Sequence, residues 1–186
     1  MSITWTDRPS REDGQGNYRL LRVGRSGTVR GIIISHNLVG TGLHYWKGKS
    51  TPCNQSTCEA CKEGHTARWY GYIALWSAKT DSIGICEITD GCADDVDRYR
   101  ARHSTIRGAE LLLTRQGQRP NGRILANLTP GSIADERLPS APDVIKILMK
   151  IWGMNENHAV ASRPGREKNN RMTATDQVQS GNGSTK

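Results

Sequence analysis

Three cysteines within nine residues, Cys53, Cys58 and Cys61, constrain this 186-residue chain more than any other feature, and a histidine lies on either side of them, His44 and His65. Thiolate and imidazole are the donors that zinc prefers in closed, four-coordinate sites. Cys58-x-x-Cys61 followed by Gly64 lets one tight turn present two sulfurs, and Cys53 adds a third. The fourth ligand is His44 or His65. His44 is preferred, because a ligand at the end of an early strand would tie the loop to the body of the fold, whereas His65 would close only a local ring. Four protein ligands leave no open position, so such a zinc ion would be structural.

A staple of this kind suits the rest of the composition. Hydrophobic residues make up 35% and there is no Phe, so the core is modest for this length. Five cysteines is an odd number with no secretion signal before it, which fits metal binding in a reducing, cytoplasmic compartment better than disulfides. Cys86 and Cys92 read as an ordinary strand residue and a helix-start residue. No apolar run approaches the roughly 18 residues that span a bilayer, so no membrane partner is expected. The net charge of +8 favours a polyanion, and nucleic acid comes first.

Residues 1–17 read as a flexible arm and 155–186 as a disordered tail. Between them, the β-branched run Val29–Ile34 is a strand, Gly40-Thr-Gly42 a turn, and 44–65 the metal-ligand loop. Strands follow over 67–78 and 82–89, a helix over about 92–103, and strands over 107–114 and 123–128. A short helix within 139–153 should carry Val144, Ile147, Leu148 and Ile151 on one face. Five strands with a helix between the third and fourth is the order of the OB-fold, a small Greek-key barrel that binds oligonucleotides. The fold expected is therefore mainly β: a five-stranded barrel over 18–135, with the zinc loop between strands 1 and 2.

The second chemical signal is aromatic. Five Trp and five Tyr are the whole aromatic complement, and Tyr45, Trp46, Trp69, Tyr70, Tyr72 and Trp76 are six of them. Strand alternation puts Arg68, Tyr70, Tyr72, Ala74 and Trp76 on one face and Trp69, Gly71, Ile73 and Leu75 on the other. The second set is the natural core face. The first suits base stacking, at about 1–3 kcal/mol per base; packing under the metal loop or the C-terminal helix is the plain alternative. Ser82 and Gly84 on the next strand would leave room for a base, and Glu87 would then require a bulge. Trp46 with Tyr45 would either extend the platform or pack the loop. Arginines supply phosphate contacts: Arg30, Arg68, Arg107 and, around the loop between the last two strands, Arg115, Arg119 and Arg123.

His44, Cys53 and Cys58-x-x-Cys61 in this strand order resemble the zinc-bearing OB-fold single-strand binders, of the kind found in T-even phages and in the large subunit of replication protein A. The likeness covers about 28–129. It implies a single-stranded DNA-binding role in replication, with His44, Cys53, Cys58 and Cys61 as zinc ligands. The size suits a stand-alone binder of a phage, plasmid or similar element. One departure is the tail, where Arg163, Arg166, Lys168, Arg171 and Lys186 outnumber Glu156, Glu167 and Asp176; single-strand binders often end in acid. RNA regulation on the same fold and a zinc-stapled protein-interaction module are the competing readings. Catalysis is not expected: the His-x-Glu and Pro-Cys-x-x-Cys of zinc deaminases, a phosphate-binding Lys-Ser/Thr loop and Gly-x-Ser-x-Gly are all missing.

Overall fold

The computed structural model describes residues 18–54, 57–119 and 122–154. The proposed arm and tail lie outside them. Eight strands form one mixed sheet, accompanied by three α-helices. The strands are β1 (Arg19–Leu21), β2 (Thr28–Ile33), β3 (Val39–Trp46), β4 (Lys49–Pro52), β5 (Arg68–Ser77), β6 (Ser82–Thr89), β7 (Glu110–Arg115) and β8 (Ile124–Thr129). The helices are α1 (Glu59–Lys62), α2 (Asp90–His103) and α3 (Val144–Trp152). None of the described helices is long and apolar enough to cross a membrane.

The sheet runs β1-β6-β5-β2-β7-β8, with β3 paired to β5 and β4 to β3. β5 is its spine. One edge pairs with the whole of β6, from Tyr70↔Thr89 to Ser77↔Ser82. The other edge is shared: β3 takes Arg68 to Tyr72, and β2 takes Leu75 and Trp76. The expected five-stranded barrel is corrected here. The sheet has eight strands and does not close, and the only parallel ladder among the described strands is β1 on β6.

Two further expectations change for local reasons. Gly40-Thr-Gly42 is strand, not turn. Gly40 pairs with Gly71, and the Trp69 ring lies across both, where a Cβ would collide with it. The missing side chains let the indole lie flat on the ladder. The β3–β4 hairpin was not foreseen. Its two-residue loop, Lys47-Gly48, has positive φ at both positions (49° and 77°), which matches the twist of the strands it joins.

Both faces of the sheet are covered. On one, Ile33, Ile73, Leu75, Ile88, Leu111 and Leu113 pack with Cys92, Ala93 and Val96 of α2. On the other, Ile32, Ile34, Tyr72, Ala74 and Ile85 pack with Leu138 and with Val144 and Leu148 of α3. Asp143 caps α3 by accepting from the Lys146 amide at 3.1 Å, and Gly153 ends it at φ 64°. Val144, Ile147 and Leu148 face the sheet as expected, but Ile151 is exposed and Trp152 takes its place. Burial of this stripe decides the fate of the aromatic strand below it.

Candidate metal centre and adjoining groove

Each metal-ligand residue is placed by backbone hydrogen bonds. Cys53 follows β4, and its amide donates to the Gly42 carbonyl of β3 at 2.8 Å. Cys58 precedes α1 and Cys61 lies within it. The amides of Gly64 and His65 then donate to Cys61 and Ala60, and Gly64 makes the turn at φ 82°. His44 comes from β3, opposite Thr51 of β4, and is only 1% exposed. Hairpin and knuckle thus converge on one point.

The ligand atoms of His44, Cys53, Cys58 and Cys61 all lie within 4.8 Å of one another, a cluster that could hold a metal ion. Cys53 Sγ is 3.6 Å from Cys61 Sγ, and Cys61 Sγ is 3.4 Å from His44 Nε2. A zinc tetrahedron built from ordinary Zn–S and Zn–N bond lengths has edges of about 3.8 Å between sulfurs and about 3.6 Å from sulfur to nitrogen. The spacing therefore fits the ion. So does the chemistry, because the neighbouring sulfurs hinder ionisation of Cys61. The Cys61 thiol is pushed up to about 11, first by its hydrogen bond with Cys53 and then by desolvation. Cys58 is pulled the other way, chiefly by the Cys61 backbone N–H. A divalent cation would relieve the crowding by taking thiolates. Among the described residues His44 Nδ1 is buried with no hydrogen-bond partner, leaving Nε2 as the nitrogen directed at the sulfurs. His65, the alternative ligand, stands outside the cluster, exposed, with Nε2 3.7 Å from Glu63.

The aromatic residues divide. Tyr72 was expected to offer its ring to a base, but it is fully buried under α3, edge-on to Trp152 with ring centroids 5.5 Å apart. Its hydroxyl donates to Glu87 at 3.2 Å, and burial, then the Glu87 charge, pushes its pKa upward. Trp76 packs on the same core cluster, and its indole donates to Asp81 at 3.2 Å. Trp46 locks the lobe together: its indole N–H donates to Glu63 at 2.7 Å, and Lys47 Nζ sits 3.9 Å from its ring centroid. Tyr70 is half-buried, and Tyr45 is 76% exposed. Gly84 offers no room for a base, since Leu21 lies where its Cβ would be. Glu87 needs no bulge, because the β5–β6 register is continuous and places it opposite Tyr72.

The arginines divide as well. Arg107 was expected to bind phosphate but is a structural clamp. It donates to the carbonyls of Ile34 (2.6 Å) and Pro139 (3.0 Å) and pairs with Asp135 (2.6 Å). Arg115 likewise donates to the carbonyls of Val23, Gly24 and Gly122, joining the β1–β2 and β7–β8 connections. Arg30 pairs with Glu110 at 3.0 Å. Arg119 and Arg123 are exposed on the loop between β7 and β8. Arg68 is exposed and has no ion-pair partner among the described residues.

Arg68 and Tyr70 also mark where two open clefts meet. One, of about 620 Å³, reaches from them past Glu87 and Thr89 to Arg22 and Ile124. The other, of about 380 Å³, reaches to Tyr45, Ser50 and His65 on the metal-centre lobe. Arg22 belongs to an acid-free arginine cluster, Arg19, Arg22, Arg25 and Arg30, whose sequence reading is phosphate contact; in the structure it ion-pairs with Glu87 at 2.9 Å inside the first cleft, a pairing the sequence does not reveal. No protein-family model, curated protein or solved structure matches the chain significantly.

Proposed function

We propose that this chain is a single-stranded DNA-binding protein of OB-like organisation, with a structural zinc ion held by His44, Cys53, Cys58 and Cys61. One observation carries the reading. The two clefts join at Arg68 and Tyr70, so a guanidinium with no ion-pair partner among the described residues and a half-buried ring sit midway along one groove. A strand laid there would meet Tyr45 at the lobe end and Arg22 at the other. Stacking on Tyr45 and Tyr70 and phosphate contact from Arg68 work largely without regard to sequence. Arg119 and Arg123 add positive charge on the β7–β8 loop.

Support for the OB-like organisation lies in the ladders. β2 and β3 act as one interrupted first strand that pairs with β5 and, through β2, with β7. β5 then pairs with β6, and β7 with β8. Those are four of the five ladders of the closed barrel. The fifth would join β6 to β8, but β1 lies along β6 instead. The zinc would hold the β3–β4 hairpin against α1 and so fix one wall of the groove.

Fluorescent single-stranded DNA, matched RNA and duplex DNA, titrated at two salt concentrations, test the reading. Salt-sensitive binding of single strands over duplex is expected. RNA favoured over DNA would move the function to RNA regulation. No salt-sensitive binding of any oligonucleotide would defeat the reading and favour a protein-interaction module.

A further inference from the structure

We propose that the groove contains one base-selective subsite, formed by Arg22 and Glu87 beside Tyr70, and that it prefers guanine. This rests on the single-strand reading above.

The carboxylate of Glu87 is held from two sides. Arg22 Nη2 donates to Oε2 at 2.9 Å, and the Tyr72 hydroxyl donates to the same oxygen at 3.2 Å. Oε1 receives no hydrogen bond among the described residues, and the side chain is 14% exposed in the wall of the 620 Å³ cleft. A carboxylate accepts at about four positions, so two remain open on Oε1. Arg22 is 47% exposed, and its guanidinium has further N–H groups beyond the one given to Glu87. The wall therefore offers an acceptor and a donor side by side.

Tyr70 stands on the same face, two residue pairs along the β5–β6 ladder: Tyr70 faces Thr89 and Tyr72 faces Glu87. A base stacked on Tyr70 would present its edge to this pair. Guanine carries two adjacent donors, the N2 amino group and N1–H, followed by the O6 acceptor. Glu87 can take the donors while Arg22 serves O6. Thymine also has N–H beside a carbonyl, but its O2 replaces the amino group and would face the carboxylate with like charge. Adenine and cytosine each offer one amino donor beside an acceptor. Tyr72 and Arg22 together fix the carboxylate's rotamer, so little ordering is left to do on binding.

The test compares thymine-rich oligonucleotides carrying isolated guanines with the same oligomers carrying inosine, which lacks only the N2 amino group, and with all-thymine oligomers. For the full chain, guanine should bind about 10- to 100-fold tighter than inosine, the loss expected for one hydrogen bond to a charged acceptor. In Glu87→Gln the three should bind within two-fold of one another. Equal binding of the three by the unaltered chain, or a guanine preference that survives in folded Glu87→Gln, overturns the subsite while leaving single-strand binding intact. Failure to bind any of them defeats the parent reading instead. The inosine comparison needs no variant, so an unfolded Glu87→Gln does not blunt the test.

Discussion

The indole N–H of Trp46 donates to the carboxylate of Glu63 at 2.7 Å, joining the end of β3 to the residue that closes α1. The bond spans the two pieces that supply the metal ligands, His44 from the hairpin and Cys58 and Cys61 from the knuckle. Trp46→Phe keeps the ring and loses the donor. It should leave zinc content at one ion per chain while raising the rate of zinc transfer to a chelator several-fold. An unchanged transfer rate would show that the bond does not brace the lobe.

Removing a ligand should do more. Cys58→Ser and His44→Ala should each lose zinc and stability together, because metal binding and lobe folding are one equilibrium. Metal analysis and thermal melting of the same preparations check this. His65→Ala should change neither. A full zinc complement in Cys58→Ser, or zinc loss in His65→Ala, would redraw the site.

Chelation should also divide the five cysteines. With metal bound, none should react with iodoacetamide. After chelation, Cys53, Cys58 and Cys61 should alkylate, while Cys86 and Cys92, both fully buried, should not. Burial, and after it the Glu87 charge, pushes the Cys86 thiol up to about 12. Raising the pH to 9 leaves it protonated and unreactive, since the thiolate is the nucleophile. Mass-spectrometric mapping of labelled sites reads the result.

Tyr45→Ala combined with Tyr70→Ala should weaken single-strand binding by about 2–5 kcal/mol with the fold intact, from the usual worth of base stacking. Tyr72→Ala should instead act on stability. It empties a fully buried site beneath α3 and should cost about 3–5 kcal/mol in urea unfolding. A stable Tyr72→Ala with weakened DNA binding would reverse the roles assigned to these rings.

Arg107→Met should destabilise by about 2–4 kcal/mol, because the carbonyls of Ile34 and Pro139 lose their donor in a part-buried setting. Its effect on oligonucleotide affinity, measured below the unfolding transition, should be negligible. Loss of affinity without loss of stability would return Arg107 to the groove.

Much of this was legible in the residues. Cysteine and histidine spacing located the cluster, and alternation located β5 and β6. What failed did so for tertiary reasons. Tyr72 looks like part of a platform only until α3 arrives, and nothing in its own strand reveals that a helix about seventy residues later covers it; Trp76 packs at the edge of the same core and gives its N–H to Asp81. Arg107 and Arg115 look like phosphate ligands because charge is visible in sequence, whereas the carbonyls that use it are not. Gly40 reads as part of a turn and Gly71 as a core-face strand residue, and only the register shows that together they make room for Trp69. The barrel failed at its last ladder, which depends on how β1 competes for β6.

The shared edge of β5 has a consequence for how the molecule responds to its surroundings. Arg68 and Tyr70 sit on the rungs that pair with Leu43 and Thr41, and the next residue after Leu43 is His44. On the proposed reading, whatever happens at a bound ion is therefore one residue away from the groove's contact with the strand. Withdrawal of zinc would then slacken that contact before the rest of the protein came apart, making nucleic-acid occupancy a gauge of metal supply.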